Sequence, residues 1–290
     1  MIEYPQLLIL GAIAGFTIFL GLPLAVLQNV SSRKKGFLNA VAIGILVFLI
    51  IDVFSHAWNT ASIAAADAYV GTAPLGGAIL DLVALFGGIA LGLLGLVFYE
   101  ARYMTKVTTA MAQQPQAVES SMGGGTRALL QSQLIENMSA YRLAMMIAIG
   151  IGAHNFSEGL AIGQSYAQGS VGLALILIIG FGAHNATEGF GIASPLTNLE
   201  KRPDTRFLVT VGLVGGGPTF LGTVTGSLVG VSDFAYVFFL SIAGGALVYV
   251  SMLMYSSGRR QTTNRVLMIG IFVGLCAGFV TDLIVTLGGA

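Results

Sequence analysis

The sequence predicts an all-α integral membrane protein with eight transmembrane helices, and three observations lead there. Only 9% of its 290 residues are Asp, Glu, Lys or Arg, against about 25% in soluble domains. Apolar stretches long enough to cross ~30 Å of hydrocarbon recur along the whole chain. The thirteen basic residues all fall between those stretches, in an alternating pattern. Hydrophobic residues make up 55% of the chain and glycines number 40, which suits helices packed backbone to backbone in lipid. The net charge is zero, so nothing points to a nucleic-acid partner.

The spans are placed at Leu7–Leu27, Phe37–Ala57, Leu75–Tyr99, Leu143–Ile162, Val171–Ile192, Phe207–Val229, Phe234–Tyr255 and Val266–Leu287. Alternate loops must then share a side. The first loop holds Arg33, Lys34 and Lys35, and the third holds or adjoins Arg102, Lys106, Arg127 and Arg142. Lys201, Arg202 and Arg206 lie in the fifth, and Arg259, Arg260 and Arg265 in the seventh. The other loops and both tails carry none. By the positive-inside rule the odd loops are cytoplasmic, so both termini of this multi-pass cell-membrane protein are expected to be extracellular.

MIEYPQLLIL at the N-terminus lacks a basic region and a small-residue cleavage site, so the first apolar run is expected to stay in the mature protein. The lone Cys276 can form neither an internal disulfide nor a thiolate metal site. Residues 1–290 read as a single membrane domain. Its one long loop, about 101–140, is polar and poor in aromatics and reads as a flexible cytoplasmic connector.

The chemistry is concentrated in a near repeat. IGIGAHNFSEGLAIG, from Ile149, returns as IGFGAHNATEGFGIA, from Ile179. Each copy carries His-Asn-x-x-Glu-Gly in mid-span, namely His154, Asn155, Glu158 and Gly159, then His184, Asn185, Glu188 and Gly189. At about 100° per residue, His, Asn and Glu share one helix face within roughly 100° of arc. Two such faces opposed in a bundle offer two imidazoles, two carboxylates and two amides, a donor set suited to Zn²⁺, Fe²⁺, Mn²⁺, Co²⁺ or Ni²⁺. Each mid-membrane carboxylate costs at least ~2.5 kcal/mol, and a divalent cation compensates two of them. A purely structural network of protonated glutamates and histidines is the competing reading.

Other residues are less specific. Asp52 and His56 form an Asp-x-x-x-His pair at the end of the second span, fitted to a secondary metal site or to a helix-end ion pair. Asp67, Asp81, Asp233 and Asp282 are expected toward the outer surface, as solvated span ends or as attractors of cations. In the sixth span Pro218 follows three glycines, where a helix can break and line a cavity with freed carbonyls, or merely kink for packing. The ten methionines form no ligand ladder, which argues against a Cu(I) path.

The paired motifs, eight spans, outward termini and long third loop together resemble the ZIP (Zrt/Irt-like) metal transporters, and within them the prokaryotic GufA-like branch. The resemblance covers essentially the whole chain. It implies that the fourth and fifth spans hold the ion and that transport runs into the cytoplasm, with zinc foremost and iron or manganese as further substrates. A 3+2+3 helix arrangement with inverted outer repeats, and a homodimer, are also implied, as is a bundle of the first, fourth, fifth and sixth spans moving against the rest. No cofactor is expected beyond the transported ion. The chain departs from the family pattern in several places. Ser157 and Thr187 stand where proline is common, Gly217 stands where a related branch has Glu, the seventh span lacks acids, and the third loop lacks a histidine cluster. One ion per protomer is therefore expected. A membrane metalloenzyme and a metal sensor that does not transport are the alternative functions.

Overall fold

A computed structural model describes residues 3–26, 31–112, 124–199, 201–230 and 232–287. Among these the chain is helical apart from turns and short connections. Helices α1 (Tyr4–Phe16) and α2 (Ile18–Gly21) make the first span, followed by a 3₁₀ turn at Leu22–Val26. The remaining spans are α3 (Ser32–Tyr69), α4 (Leu75–Ala112), α5 (Gly124–Ala167), α6 (Val171–Ala193), α7 (Thr205–Leu228), α8 (Asp233–Gln261) and α9 (Asn264–Leu287). Among the described residues, eight helical segments are long and apolar enough to cross a membrane, as the sequence predicts.

Two boundaries depart from expectation. Helix α3 runs on to Tyr69, a length of 38 residues or about 57 Å, so the outer end of this span continues as helix. The segment expected to be a slack connector is helical to Ala112 and again from Gly124. Residues 113–123 of that segment, and the end of the first span at Leu27, lie outside the described residues.

Of the two readings of Pro218, a break or a packing feature, the structure shows packing. Helix α7 passes through Pro218 without interruption. Proline deprives the Val214 carbonyl of its helical partner, and a Cβ at Gly152 of α5 would collide with that oxygen. The two backbones therefore pack directly over the defect. The break falls instead in the first span, at Thr17, between α1 and α2. Thr17 Oγ1 lies 2.6 Å from the carbonyls of both Ala14 and Gly182. It thus offers the backbone a competing hydrogen bond and ties the break to α6.

Close packing is led by glycine. On α5, Gly159 and Gly163 face the Thr219 and Thr223 carbonyls of α7, while Gly222 and Gly226 of α7 face the Phe156 and Leu160 carbonyls of α5. A Cβ at any of these would meet backbone. Lipid supplies no hydrophobic drive between helices, so this small-x-x-x-small contact is what lets the backbones approach. In the fourth span 72% of the most apolar window is buried, against 22% in the eighth, so α5 is the axial helix. Helix α1 packs on α6 and α7, α3 on α8 and α9, and α4 on α8.

Candidate metal site

The six motif residues converge at the centre of this bundle. His154, Asn155 and Glu158 project from α5, and His184, Asn185 and Glu188 from α6; all six side chains are buried. Neither helix breaks at its motif. Thr187 Oγ1 donates back to the His184 carbonyl at 2.7 Å, and Ser157 Oγ to the Ala153 carbonyl at 3.5 Å. Both helices therefore present their His, Asn and Glu on one face, as the spacing predicts.

The site has two layers. In the first, Glu158 Oε1 lies 3.3 Å from His154 Nε2 and 3.8 Å from His184 Nδ1. The two imidazole rings stand edge to face with centroids 6.1 Å apart, and Phe48 packs beside His184 with a centroid separation of 5.7 Å. A tetrahedral ion with bonds of about 2.1 Å keeps its ligand atoms about 3.4 Å apart, so these spacings are of the right order. The groups are gathered rather than poised, however. Among the described residues no three His, Cys, Asp or Glu side chains hold an ion as they stand.

The second layer is made of amides. Asn155 Nδ2 lies 2.5 Å from Asn185 Oδ1, 2.9 Å from Glu188 Oε2 and 3.0 Å from the Gly215 carbonyl of α7. Asn185 Nδ2 in turn donates to the Ala14 carbonyl of α1 at 3.0 Å. This layer joins four helices by side chain and carbonyl. As placed, Glu188 reaches the amides and not the imidazoles.

Several polar atoms of both layers are buried without a hydrogen-bond partner. They are Nδ1 and Nε2 of His154, Nε2 of His184, Oε2 of Glu158, Oε1 of Glu188 and Oδ1 of Asn155. An orphaned buried polar group costs about 1–3 kcal/mol, and native interiors hold few of them. Here they cluster, and most carry the lone pairs a cation needs.

A cavity of about 210 Å³ meets the imidazole layer. Its walls include Asp52, His56, His154, Glu158, His184, Tyr236 and Asp282. Followed along each helix, the lining residues beyond the motif all lie toward the end of the bundle that carries no basic residues. Asn155, Asn185 and Glu188 of the amide layer are not among the cavity walls.

Asp52 and His56 are paired, with Oδ1 and Nε2 3.5 Å apart, and both face this cavity. The structure thus joins the Asp-x-x-x-His pair to the central motif. It also brings in Asp282, which the sequence suggested only as an outer-surface acid. Its signal was an acidic residue within the apolar run of the last span. Asp81, expected among solvated span ends, is buried instead. Tyr236 and the Ala14 and Gly215 carbonyls were not singled out by the sequence. Only the glycines before Pro218 hinted at the last.

Away from this site, Glu100 of α4 accepts a hydrogen bond from the Tyr249 hydroxyl of α8 and pairs with Arg142 of α5, Nη2 to Oε1, at 2.6 Å. A third-span carboxylate thus ties α4 to both α8 and α5.

A protein-family model described as ZIP Zinc transporter matches residues 105–286, which is well over half of the chain and takes in both motifs. No curated protein matches at a significant level. With eight apolar helices and the repeated His-Asn-x-x-Glu-Gly faces meeting at their centre, the chain belongs to the ZIP zinc transporter family, whose members move divalent metal ions across membranes.

Proposed function

We propose that this protein carries a divalent transition-metal ion, zinc foremost, into the cytoplasm through His154, Asn155, Glu158, His184, Asn185 and Glu188. The observation that carries the assignment is the cluster of buried, unpartnered nitrogen and oxygen lone pairs on matched faces of α5 and α6. Imidazole nitrogen and carboxylate or amide oxygen suit Zn²⁺, Fe²⁺ and Mn²⁺ in common.

The cavity gives the direction its support. If the basic end is cytoplasmic and both termini are extracellular, the imidazole layer is reached from outside. The Asn155–Asn185–Glu188 layer, bonded to α1 and α7 and absent from the cavity walls, is the part of the site an inward path must open. An ion arriving past Asp52, His56 and Asp282 meets Glu158 and the two imidazoles first. Inward release requires the amide bonds to open, and alternating access does this by moving one group of helices against another. Helices α1, α5, α6 and α7 share the amide layer and are the natural moving group.

The helix contacts also favour a 3+2+3 arrangement with inverted repeats. Exchanging the first three spans with the last three turns the α3–α9 contact into the α8–α4 contact, and both are present. A homodimer and affinity with the GufA-like branch remain proposals resting on the resemblance. Membership of a transporter family sets aside the metalloenzyme.

The test is uptake of a panel of divalent ions by the purified protein in sealed proteoliposomes at several pH values. Saturable zinc uptake absent from protein-free vesicles supports the proposal. Binding without uptake would instead indicate a sensor.

A further inference from the structure

The strongest feature outside the transport path lies at the basic end of the bundle. There the start of α3 meets the turn between α8 and α9. A Cβ at Gly36 would fall 2.8 Å from Thr262 Cβ, so the first turns of α3 touch a turn more than two hundred residues away in the chain. Two clefts open at this junction. One, of about 600 Å³, is lined by Arg33, Arg260, Thr262, Thr263 and Val266. The other, of about 550 Å³, is lined by Arg33, Lys34, Phe37, Leu38 and Val266. Arg33 and Val266 line both, so the two adjoin.

Their chemistries differ in a useful way. The first presents two guanidinium groups and two hydroxyls. The second is apolar except at its rim, where Lys34 joins Arg33. Arg33, Lys34 and Arg260 are exposed, and no ion pair among the described residues engages them. Helices α3 and α9 both begin here, adding the positive ends of two helix dipoles. Phe37, Leu38 and Val266 lie near the starts of their helices.

We infer that this composite cleft binds an anionic phospholipid, its phosphate held by Arg33, Arg260 and the Thr262 and Thr263 hydroxyls and an acyl chain lying against Phe37, Leu38 and Val266. Arginine suits the role because its planar fork pairs two phosphate oxygens at once. Basic clefts between membrane helices are a recognised setting for acidic headgroups. The adjoining apolar cleft favours a lipid over a free phosphate, which would leave that surface uncovered. The site clamps the start of the second span to the end of the seventh, so occupancy stabilises this end of the bundle.

The test uses the full-length protein in detergent, with native mass spectrometry and thermal melting. The additions are phosphatidylglycerol, phosphatidylcholine or inorganic phosphate. Phosphatidylglycerol is expected to stay bound and raise the melting midpoint, while the other two do neither. R33Q/R260Q should weaken phosphatidylglycerol binding at least tenfold, and R102Q/R206Q, which removes the same charge from other loops, should not. If R33Q/R260Q does not fold, Arg260→Gln alone and the three-ligand comparison on the unmodified chain decide the matter. Equal retention of phosphatidylcholine, an equal effect of inorganic phosphate, or equal losses in both double variants would each overturn the assignment.

Discussion

The amide of Asn155 bonds the amide of Asn185 across the internal repeat, Nδ2 to Oδ1 at 2.5 Å, and the same nitrogen also reaches Glu188. Equivalent residues of the two motif copies thus grip one another outside the cavity lining. Asn155→Ala removes this grip together with the bond to the Gly215 carbonyl. Individual polar contacts between membrane helices are worth about 0.6–2 kcal/mol, so losing the two that the Asn155 amide can donate at once should lower the melting midpoint by several degrees. Zinc uptake should fall at least tenfold. Melting curves and uptake on one preparation check both expectations.

The glycine seam makes a sharper structural prediction. A side chain at Gly159 would run into the Thr219 carbonyl, which is backbone and cannot swing aside. Gly159→Val is expected to prevent α5 and α7 from closing, and to yield aggregated protein on size-exclusion chromatography. Gly95→Val, at a position where an added Cβ meets nothing, should remain monodisperse.

Protons and metal compete for the same lone pairs. Zinc requires a neutral imidazole and an ionised carboxylate, so lowering the pH titrates the ligands and must weaken binding. With one proton displaced per ion the loss approaches tenfold per pH unit once the ligand is protonated. Calorimetry at pH 7.5 and 5.5 should show that direction, with one tight ion per protomer. Glu158 and Glu188 are the only motif carboxylates and balance one divalent ion, so any second ion is expected to bind weakly and to depend on Asp52 or His56 at the cavity wall.

Orientation is checked by labelling. In a Cys276→Ser background, Ser170→Cys should react with an impermeant maleimide on intact cells, and Thr205→Cys only after lysis. Reaction at Thr205→Cys on intact cells would contradict the assignment of the basic end to the cytoplasm.

Much of this was legible in the sequence because its strongest signals were physical necessities of the bilayer. Apolar length fixes the number of spans, and His154, Asn155 and Glu158 recur 30 residues later, so a shared face follows from helix geometry. Interhelical choices were less legible. Pro218 suggested a break, but Gly152 packs over the freed carbonyl and the helix continues. The first span breaks at Thr17 because its hydroxyl finds the Ala14 and Gly182 carbonyls, a contact 165 residues away that no local pattern announces. Asp282 looked like a span end because sequence does not say which face of α9 meets the cavity. The division into imidazole and amide layers was equally hidden, since it depends on which side chains of α6 meet which of α5.

The central claim is that the ion passes through the carboxylates between these histidines. The most direct measurement is initial zinc uptake into proteoliposomes by the unmodified chain, Glu158→Ala and Glu188→Ala, with folding confirmed by melting. Glu158 lies near both imidazoles and Glu188 is held in the amide layer. Both variants should therefore lose nearly all uptake while remaining inserted, with His154→Ala strongly impaired and His184→Ala somewhat less so. Near-normal uptake by both glutamate variants at limiting zinc would contradict the account.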